Sequence, residues 1–135
     1  MSNKRSAVTV YLYPKCGTCR DAMKSLERKG VKPDEIVNIF ETAPPRDKLA
    51  EIIAKSGLGI KKFFNTSGEV YKELQLKDKL PQMSESDMID LLASNGRLIK
   101  RPIVYDGERI TVGYKEEEYE RVWGHPQAGI QTEGG

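Results

Sequence analysis

Ala7-Val8-Thr9-Val10-Tyr11-Leu12-Tyr13-Pro14-Lys15-Cys16-Gly17-Thr18-Cys19-Arg20 is the stretch on which the fold turns. Ala7 to Tyr13 is rich in Val, Thr and Tyr and ends at Pro14, the composition and the stop of a strand. Beyond the first cysteine, Cys19, Ala22, Met23 and Leu26 recur at i, i+3, i+4 and i+7, which predicts a helix to about Lys29 with one apolar stripe. Gly30 stands where a left-handed cap would close that helix. C-x-x-C therefore sits between a strand and a helix. Cys16 lies at or just before the helix start, where unpaired N–H groups and the helix dipole favour a thiolate. Cys19, one turn on, can reach back to it. Gly17 lets the backbone approach closely, and Pro14 fixes the turn. The spacing predicts that Cys16 attacks an oxidised substrate, that Cys19 then attacks Cys16, and that a Cys16–Cys19 disulfide closes as the reduced product leaves. A cellular thiol must reopen that bond. The alternatives are two ordinary cysteines, one packed on the helix stripe, and half a zinc site completed by another chain. C-x-x-C beside a βαβ pattern favours the redox reading.

Outward from this stretch, Glu35 to Phe40 reads as a second strand, with Ile36, Val37, Ile39 and Phe40 apolar. Two strands joined by a helix form a right-handed βαβ unit with parallel strands. Pro44-Pro45 opens the next helix; Leu49, Ile52 and Ile53 are its stripe and Gly57 its end. Ile60, Phe63 and Phe64 suggest a short helical turn. Thr66-x-x-Glu69 has capping-box spacing ahead of Val70, Tyr71 and Leu74. Ser84-x-x-Asp87 starts another helix, with Met88, Leu91 and Leu92 facing inward and Asn95-Gly96 stopping it. Residues 44–95 thus read as a helical insert. Arg101 to Tyr105 and Arg109 to Val112 flank Asp106-Gly107, a hairpin signal in which Asp-Gly supplies the positive φ angles of a tight turn. Lys115 to Trp123 predicts a last helix burying Tyr119, Val122 and Trp123. The order β-α-β, helical insert, β-β-α gives an α/β fold. It is a four-stranded mixed sheet with helices on both faces, the thioredoxin-like (glutaredoxin-type) arrangement. A single domain is expected over residues 1–123, with 124–135 as a flexible, Gly/Gln-rich tail.

At 135 residues the chain is one domain's worth. It carries 22 basic and 20 acidic residues, a net charge of +2, which argues against a direct nucleic-acid binder. No apolar run approaches the roughly 18 residues of a membrane span. No signal-peptide h-region follows the basic N-terminus, so a cytoplasmic location is expected; the chain is also expected to be a monomer. Two cysteines and one histidine, His125, exclude a disulfide scaffold and leave too few ligands for a Cys/His zinc site, so no metal is expected.

Other residues surround this pair. In thioredoxin-like folds the proline that opens the third strand lies beside the thiols, and Pro102 stands there. Its neighbour Arg101 could stabilise a thiolate or an anionic substrate. The candidate catalytic residues are Cys16, Cys19 and Arg101. The candidate substrate-binding residues are Lys15, Gly17, Thr18 and Pro102. Arg20 is a further flanking cation. Lys61-Lys62 and Lys77-x-Lys79 read as solvated faces. Tyr11, Tyr13, Phe63 and Phe64 read as core or groove wall, and His125 is assigned no role.

Tyr13 to Arg20, the Pro44-Pro45-Arg46 helix start, Ser56-Gly57, Tyr71-Lys72-Glu73-Leu74 and Ile99-Lys100-Arg101-Pro102-Ile103-Val104 together resemble the ArsC/Spx family. That family holds glutaredoxin-linked arsenate reductases, the bacterial regulators Spx and MgsR, and YusI/YffB-type thiol reductases. The resemblance spans about Val8 to Trp123 and is nearest the YusI-type branch. It implies a thioredoxin-like fold, a bacterial source, a cytoplasmic location and, with the strand start at Ile103, a cis bond before Pro102. It also implies that Cys16 is the nucleophile and that the chain binds no cofactor. A low-molecular-weight thiol such as glutathione, or a thioredoxin/glutaredoxin system, would supply electrons. In the arsenate reductases a second oxyanion-binding arginine falls on Asn65, a third falls near Val112, and serine usually stands at the place of Cys19. This chain has neither arginine, and one guanidinium should hold a multiply charged oxyanion poorly. The Spx branch implies an alternative. Cys16 and Cys19 would be a redox switch, Arg101 its sensor, and Gly57 part of a surface for the C-terminal domain of the RNA polymerase α subunit.

Overall fold

In the computed structural model, residues 7–124 are described. Strand β1 (Thr9–Leu12) leads through the Cys16 turn into helix α1 (Gly17–Arg28), and β2 (Glu35–Asn38) returns parallel to β1. The insert follows as α2 (Arg46–Ser56), α3 (Glu69–Glu73), α4 (Leu76–Lys79) and α5 (Glu85–Ser94), with 3-10 turns at Ile60–Phe63, Leu80–Gln82 and Gly96–Leu98. Strands β3 (Ile103–Tyr105) and β4 (Ile110–Val112) form the hairpin, and α6 (Glu116–Trp123) closes the domain. The sheet order is β2-β1-β3-β4, with β1–β3 and β3–β4 antiparallel. This is the thioredoxin-like fold. Central β1 and β3 are covered on both sides, which is why Val10-Tyr11-Leu12 and Ile103-Val104-Tyr105 are buried runs of apolar and aromatic residues.

On one face α1 and α6 bury Cys19, Ala22, Leu26, Tyr119 and Trp123 against Val10, Leu12 and Val104. The Trp123 indole N–H donates to the buried Thr111 hydroxyl at 3.0 Å, so neither polar group is stranded. The other face carries the insert: Leu49, Ile52 and Ile53 of α2 and Met88, Ile89 and Leu92 of α5 pack on Tyr11, Ile103 and Tyr105. Gly96 lets the chain run against the end of β2. A Cβ there would lie 1.7 Å from the Ile39 carbonyl oxygen.

Four sequence expectations need correction. The second strand stops at Asn38, and Ile36 is 53% exposed because β2 is an edge strand. The first strand is shorter than Ala7 to Tyr13, since Pro14 and the turn at Tyr13 end its pairing early. Thr66 caps nothing: Gly68 is the N-cap of α3, and its N–H donates to the Asn65 carbonyl at 3.1 Å. The hairpin corners fall one residue late, at Gly107 and Glu108. Of the two, only Gly107 has a positive φ, of 95°. The Asp106 carboxylate instead accepts from the Glu108 and Arg109 N–H groups at 2.9 and 2.6 Å and fixes the turn as a side-chain cap. The tail after Gly124, including His125, lies outside the described residues.

Candidate active site

Cys16 is the N-cap residue of α1, in extended geometry (φ −86°, ψ 124°), with its N–H donating to the Tyr13 carbonyl at 3.0 Å. The turn that Pro14 begins therefore delivers its sulfur to the unpaired end of the helix. Cys16 is half-buried and Cys19 fully buried, and both are free thiols. Burial works to raise the Cys16 thiol. Against it, the Cys19 N–H and thiol, the Arg101 guanidinium and the Thr18 N–H all favour the thiolate, and the net shift is downward. Burial pushes the Cys19 thiol up to about 12, with the adjacent Cys16 adding to the shift. Identical side chains one helical turn apart are thus an accessible nucleophile and a protonated partner behind it.

The insert builds the opposite wall. Phe64 and Ile99 form an antiparallel bridge, with Asn65 N–H donating to the Leu98 carbonyl and Lys100 N–H to the Phe63 carbonyl, each at 2.8 Å. That pairing draws Asn65 beside Lys100 and Arg101. The Arg101–Pro102 peptide is cis. Arg101 is steadied by the Phe40 ring, 4.8 Å from its guanidinium carbon, and Phe40 is itself stacked on Tyr13 at 3.8 Å. The Arg101 Nη1 donates to the Ile99 carbonyl at 3.4 Å, while its Nε is enclosed without a hydrogen-bond partner among the described residues. The resulting cavity, of about 600 Å³, is lined by Cys16, Thr18, Asn65, Lys100, Arg101 and Tyr114 together with Ser67, Gly68, Gly113 and one carboxylate, Glu69.

The structure brings Cys16, Cys19, Thr18 and Arg101 together. Pro102 is buried beside Arg101, outside the lining. Lys15 and Gly17 are exposed on the turn and also lie outside it, because the helix start directs them away from the insert. Gly57, in left-handed geometry (φ 71°), is exposed at the end of α2 and belongs to a different surface. Lys100, Tyr114 and Phe40 belong to the site although the sequence reading does not include them. Adjacency to Arg101 could have flagged Lys100, but no local pattern marks Tyr114 or Phe40. Among the described residues no group of three His, Cys, Asp or Glu could hold a metal ion. No helix there is long and apolar enough to cross a membrane.

A thioredoxin-like sheet with a dithiol at the start of its first helix and an arginine beside a cis-proline defines a redox-type thiol protein. The ArsC family model matches residues 11–122, and the chain belongs to that family. YusI of Bacillus subtilis, itself uncharacterised, is 54% identical over 117 residues, 87% of this chain and 98% of that one. The global transcriptional regulator Spx of Streptococcus pyogenes is 34% identical over 82% of this chain and 81% of that protein. The arsenate reductase of Escherichia coli is 33% identical over 73% of this chain and 68% of that one. Among solved structures, an ArsC family related protein from Bacteroides fragilis superposes with a TM-score of 0.81 at 43% identity, covering 87% of this chain and 98% of its own. The family thus includes both arsenate reductases and Spx regulators.

Proposed function

We propose that the protein is a cytosolic thiol–disulfide reductase with Cys16 as nucleophile and Cys19 as resolving thiol. The observation that carries this reading is the polarity of the pair: Cys16 opens into the cavity with its thiol shifted down, and Cys19 lies buried beneath it, shifted up. The Cys16 thiolate attacks a substrate disulfide R–S–S–R′. The Cys16–S–R bond forms and R′S⁻ leaves with the electron pair. Cys19 then gives up its proton, which RS⁻ takes as it departs, and attacks the Cys16 sulfur. The product is a Cys16–Cys19 disulfide, two electrons more oxidised than the starting dithiol. Two equivalents of a small thiol, or a dithiol protein of the thioredoxin or glutaredoxin type, restore the reduced form and become disulfide themselves. Arg101 sits by both thiols as a fixed cation that favours the Cys16 thiolate. The cavity holds one guanidinium, with Asn65 where the resemblance sets a second, so it favours disulfides over a multiply charged oxyanion.

Mass spectrometry after treatment with a small disulfide tests the reading. Cys19→Ser should accumulate the mixed disulfide on Cys16, wild type should accumulate the internal disulfide, and Cys16→Ser should form neither. Failure of wild type to close Cys16–Cys19 would sink the mechanism. Alkylation against pH on the reduced protein should show Cys16 reacting through a midpoint below the ordinary thiol range, with Cys19 protected. Arg101→Ala should move the Cys16 midpoint upward.

A second reading, a redox-responsive transcription regulator, draws on the exposed Gly57-Leu58 corner, where Leu58 is 41% accessible. It predicts a stable complex with the C-terminal domain of the RNA polymerase α subunit, and an affinity that changes when Cys16–Cys19 closes. The enzyme reading predicts turnover without that complex.

A further inference from the structure

Beside the thiol cavity lies a second one. Lys100 and Tyr114 line both, and the second measures about 390 Å³. Its charged lining is Lys62, Lys100, Lys115 and Arg121 against Glu117 and Glu118, an excess of cations. Lys62 is exposed, as a solvated face requires, and stands at the edge of this cavity. Two features hold Lys100 at the junction. Its backbone is pinned to Phe63, with N–H to carbonyl oxygen at 2.8 Å. Its stem crosses Gly113, where an added Cβ would lie 2.7 Å from Lys100 Cε. Gly113 has a positive φ of 78°, and the Lys100 stem can lie over it only because the residue carries no side chain. The ammonium has no carboxylate partner within salt-bridge distance among the described residues. Each cavity falls in the range of about 300–1,000 Å³ common for small-molecule sites.

We infer that the thiol cavity selects the substrate: the protein acts on disulfides of small anionic thiols, with Lys100 binding a carboxylate on the half that becomes linked to Cys16. The inference rests on the thiol–disulfide reading of Cys16 and adds a substrate class to it. In the first step the substrate sulfur meets Cys16 beside Arg101, and the carboxylate-bearing arm reaches Lys100, which lines the same cavity. The same contact keeps the mixed disulfide in place while Cys19 attacks, and the arm leaves with RS⁻.

The inference opposes the intrinsic order of reactivity. A thiolate repels an anionic disulfide and attracts a cationic one, so a free thiol reacts fastest with the cation. Single-turnover oxidation of the full-length reduced protein by 3,3′-dithiodipropionate, bis(2-hydroxyethyl) disulfide and cystamine compares near-isosteric anionic, neutral and cationic probes. The second-order rate constant should be largest for the dianion and smallest for cystamine, and added salt should shrink that spread. Lys100→Gln should lower the ratio of dianion to neutral rate constants by about tenfold, the size of one charge-assisted contact. Lys100→Arg should restore most of the ratio. Lys77→Gln, on the exposed face of α4, controls for net charge and should leave the ratio near wild type. Equal rates for the three probes, or the intrinsic order, would overturn the inference, as would a Lys100→Gln ratio matching that of Lys77→Gln. Those outcomes would leave the dithiol mechanism standing. Absence of oxidation by every probe would instead defeat the mechanism, and the substrate class with it.

Discussion

The face of the sheet under α1 and α6 and the face under the insert are built on different plans. Under α1 and α6 the core encloses a thiol, Cys19, among Val10, Leu26, Val104, Tyr119 and Trp123. A polar clamp tethers that face: Glu116 accepts from Ser25 Oγ at 2.7 Å, from Lys29 Nζ at 2.6 Å and from the Tyr114 hydroxyl. Under the insert the cluster is larger and contains no thiol. Its contribution to chemistry is made at the rim, where the Phe64–Ile99 bridge carries Asn65 and Lys100 to the cavity edge. One face therefore sets the reactivity of the sulfur, and the other shapes what can approach it. Lesions in the two cores should separate these roles.

The largest expected effects come from paired truncations. Trp123→Ala should cost about 3–5 kcal/mol and Leu92→Ala about 2–5 kcal/mol in denaturant unfolding, since both side chains are fully buried. Their consequences for the thiols should differ. With both variants held folded, Trp123→Ala should open Cys19 to alkylation, because the two residues share one cluster, while Leu92→Ala should leave Cys19 protected. Equal exposure of Cys19 in both variants would break the comparison.

The next effect is a change of pH dependence. The Lys29 side chain is only 6% exposed and is bridged by Glu116 and Glu120 at 2.6 and 3.3 Å. The bond from Lys29, with those from Tyr114 and Ser25, holds the Glu116 carboxyl down at about 2. A carboxyl depressed on folding stabilises the protein above its ordinary range, and that stability is lost as pH falls from there toward its folded value. Acid unfolding of wild type should therefore show a component between the ordinary carboxylate range and about pH 2. Glu116→Gln should flatten that component. It should also loosen Tyr114, at the mouth of the thiol cavity, and so lower the rate of Cys16 oxidation without moving the Cys16 midpoint. An unchanged acid profile would remove the clamp from this account.

The thiol face is more legible in sequence than the insert rim. Cys19, Ala22 and Leu26 follow helix periodicity, and Cys16 precedes the first helical residue, so chain-local signals place the sulfurs. Arg101 and Pro102 come into view through the fold and the family resemblance, since an Arg-Pro pair before a strand carries no local statement of what it faces. Lys100 is legible only as the neighbour of Arg101, and Phe40 and Tyr114 are not legible as site residues. Those two meet Arg101 or line the Cys16 cavity only through contacts between segments distant in sequence, and no residue type or spacing encodes such meetings. The Asp106-Gly107 turn fails by one residue for the converse reason. The dipeptide signal assumes the backbone alone makes the turn, whereas the Asp106 carboxylate makes it here.

The smallest expected effect tests two identical-looking helix starts within the insert. Ser84-x-x-Asp87 and Thr66-x-x-Glu69 both read as N-terminal boxes. Ser84 is the N-cap of α5, and its hydroxyl accepts from the Asp87 N–H at 3.0 Å. Thr66 lies before Gly68, which occupies the N-cap of α3 with no side-chain acceptor. Ser84→Ala should therefore cost about 1 kcal/mol, the usual worth of a lost cap. Thr66→Ala should stay within about 0.5 kcal/mol, as an exposed substitution that touches no such feature. Helix α5 also packs through Met88 and Leu92 into the insert core, so the Ser84 loss should register in global unfolding. Chemical denaturation of both variants under one set of conditions gives the difference directly. A Thr66→Ala loss equal to that of Ser84→Ala would mean that α3 begins two residues earlier in solution, with the segment after Asn65 re-formed at the edge of the thiol cavity.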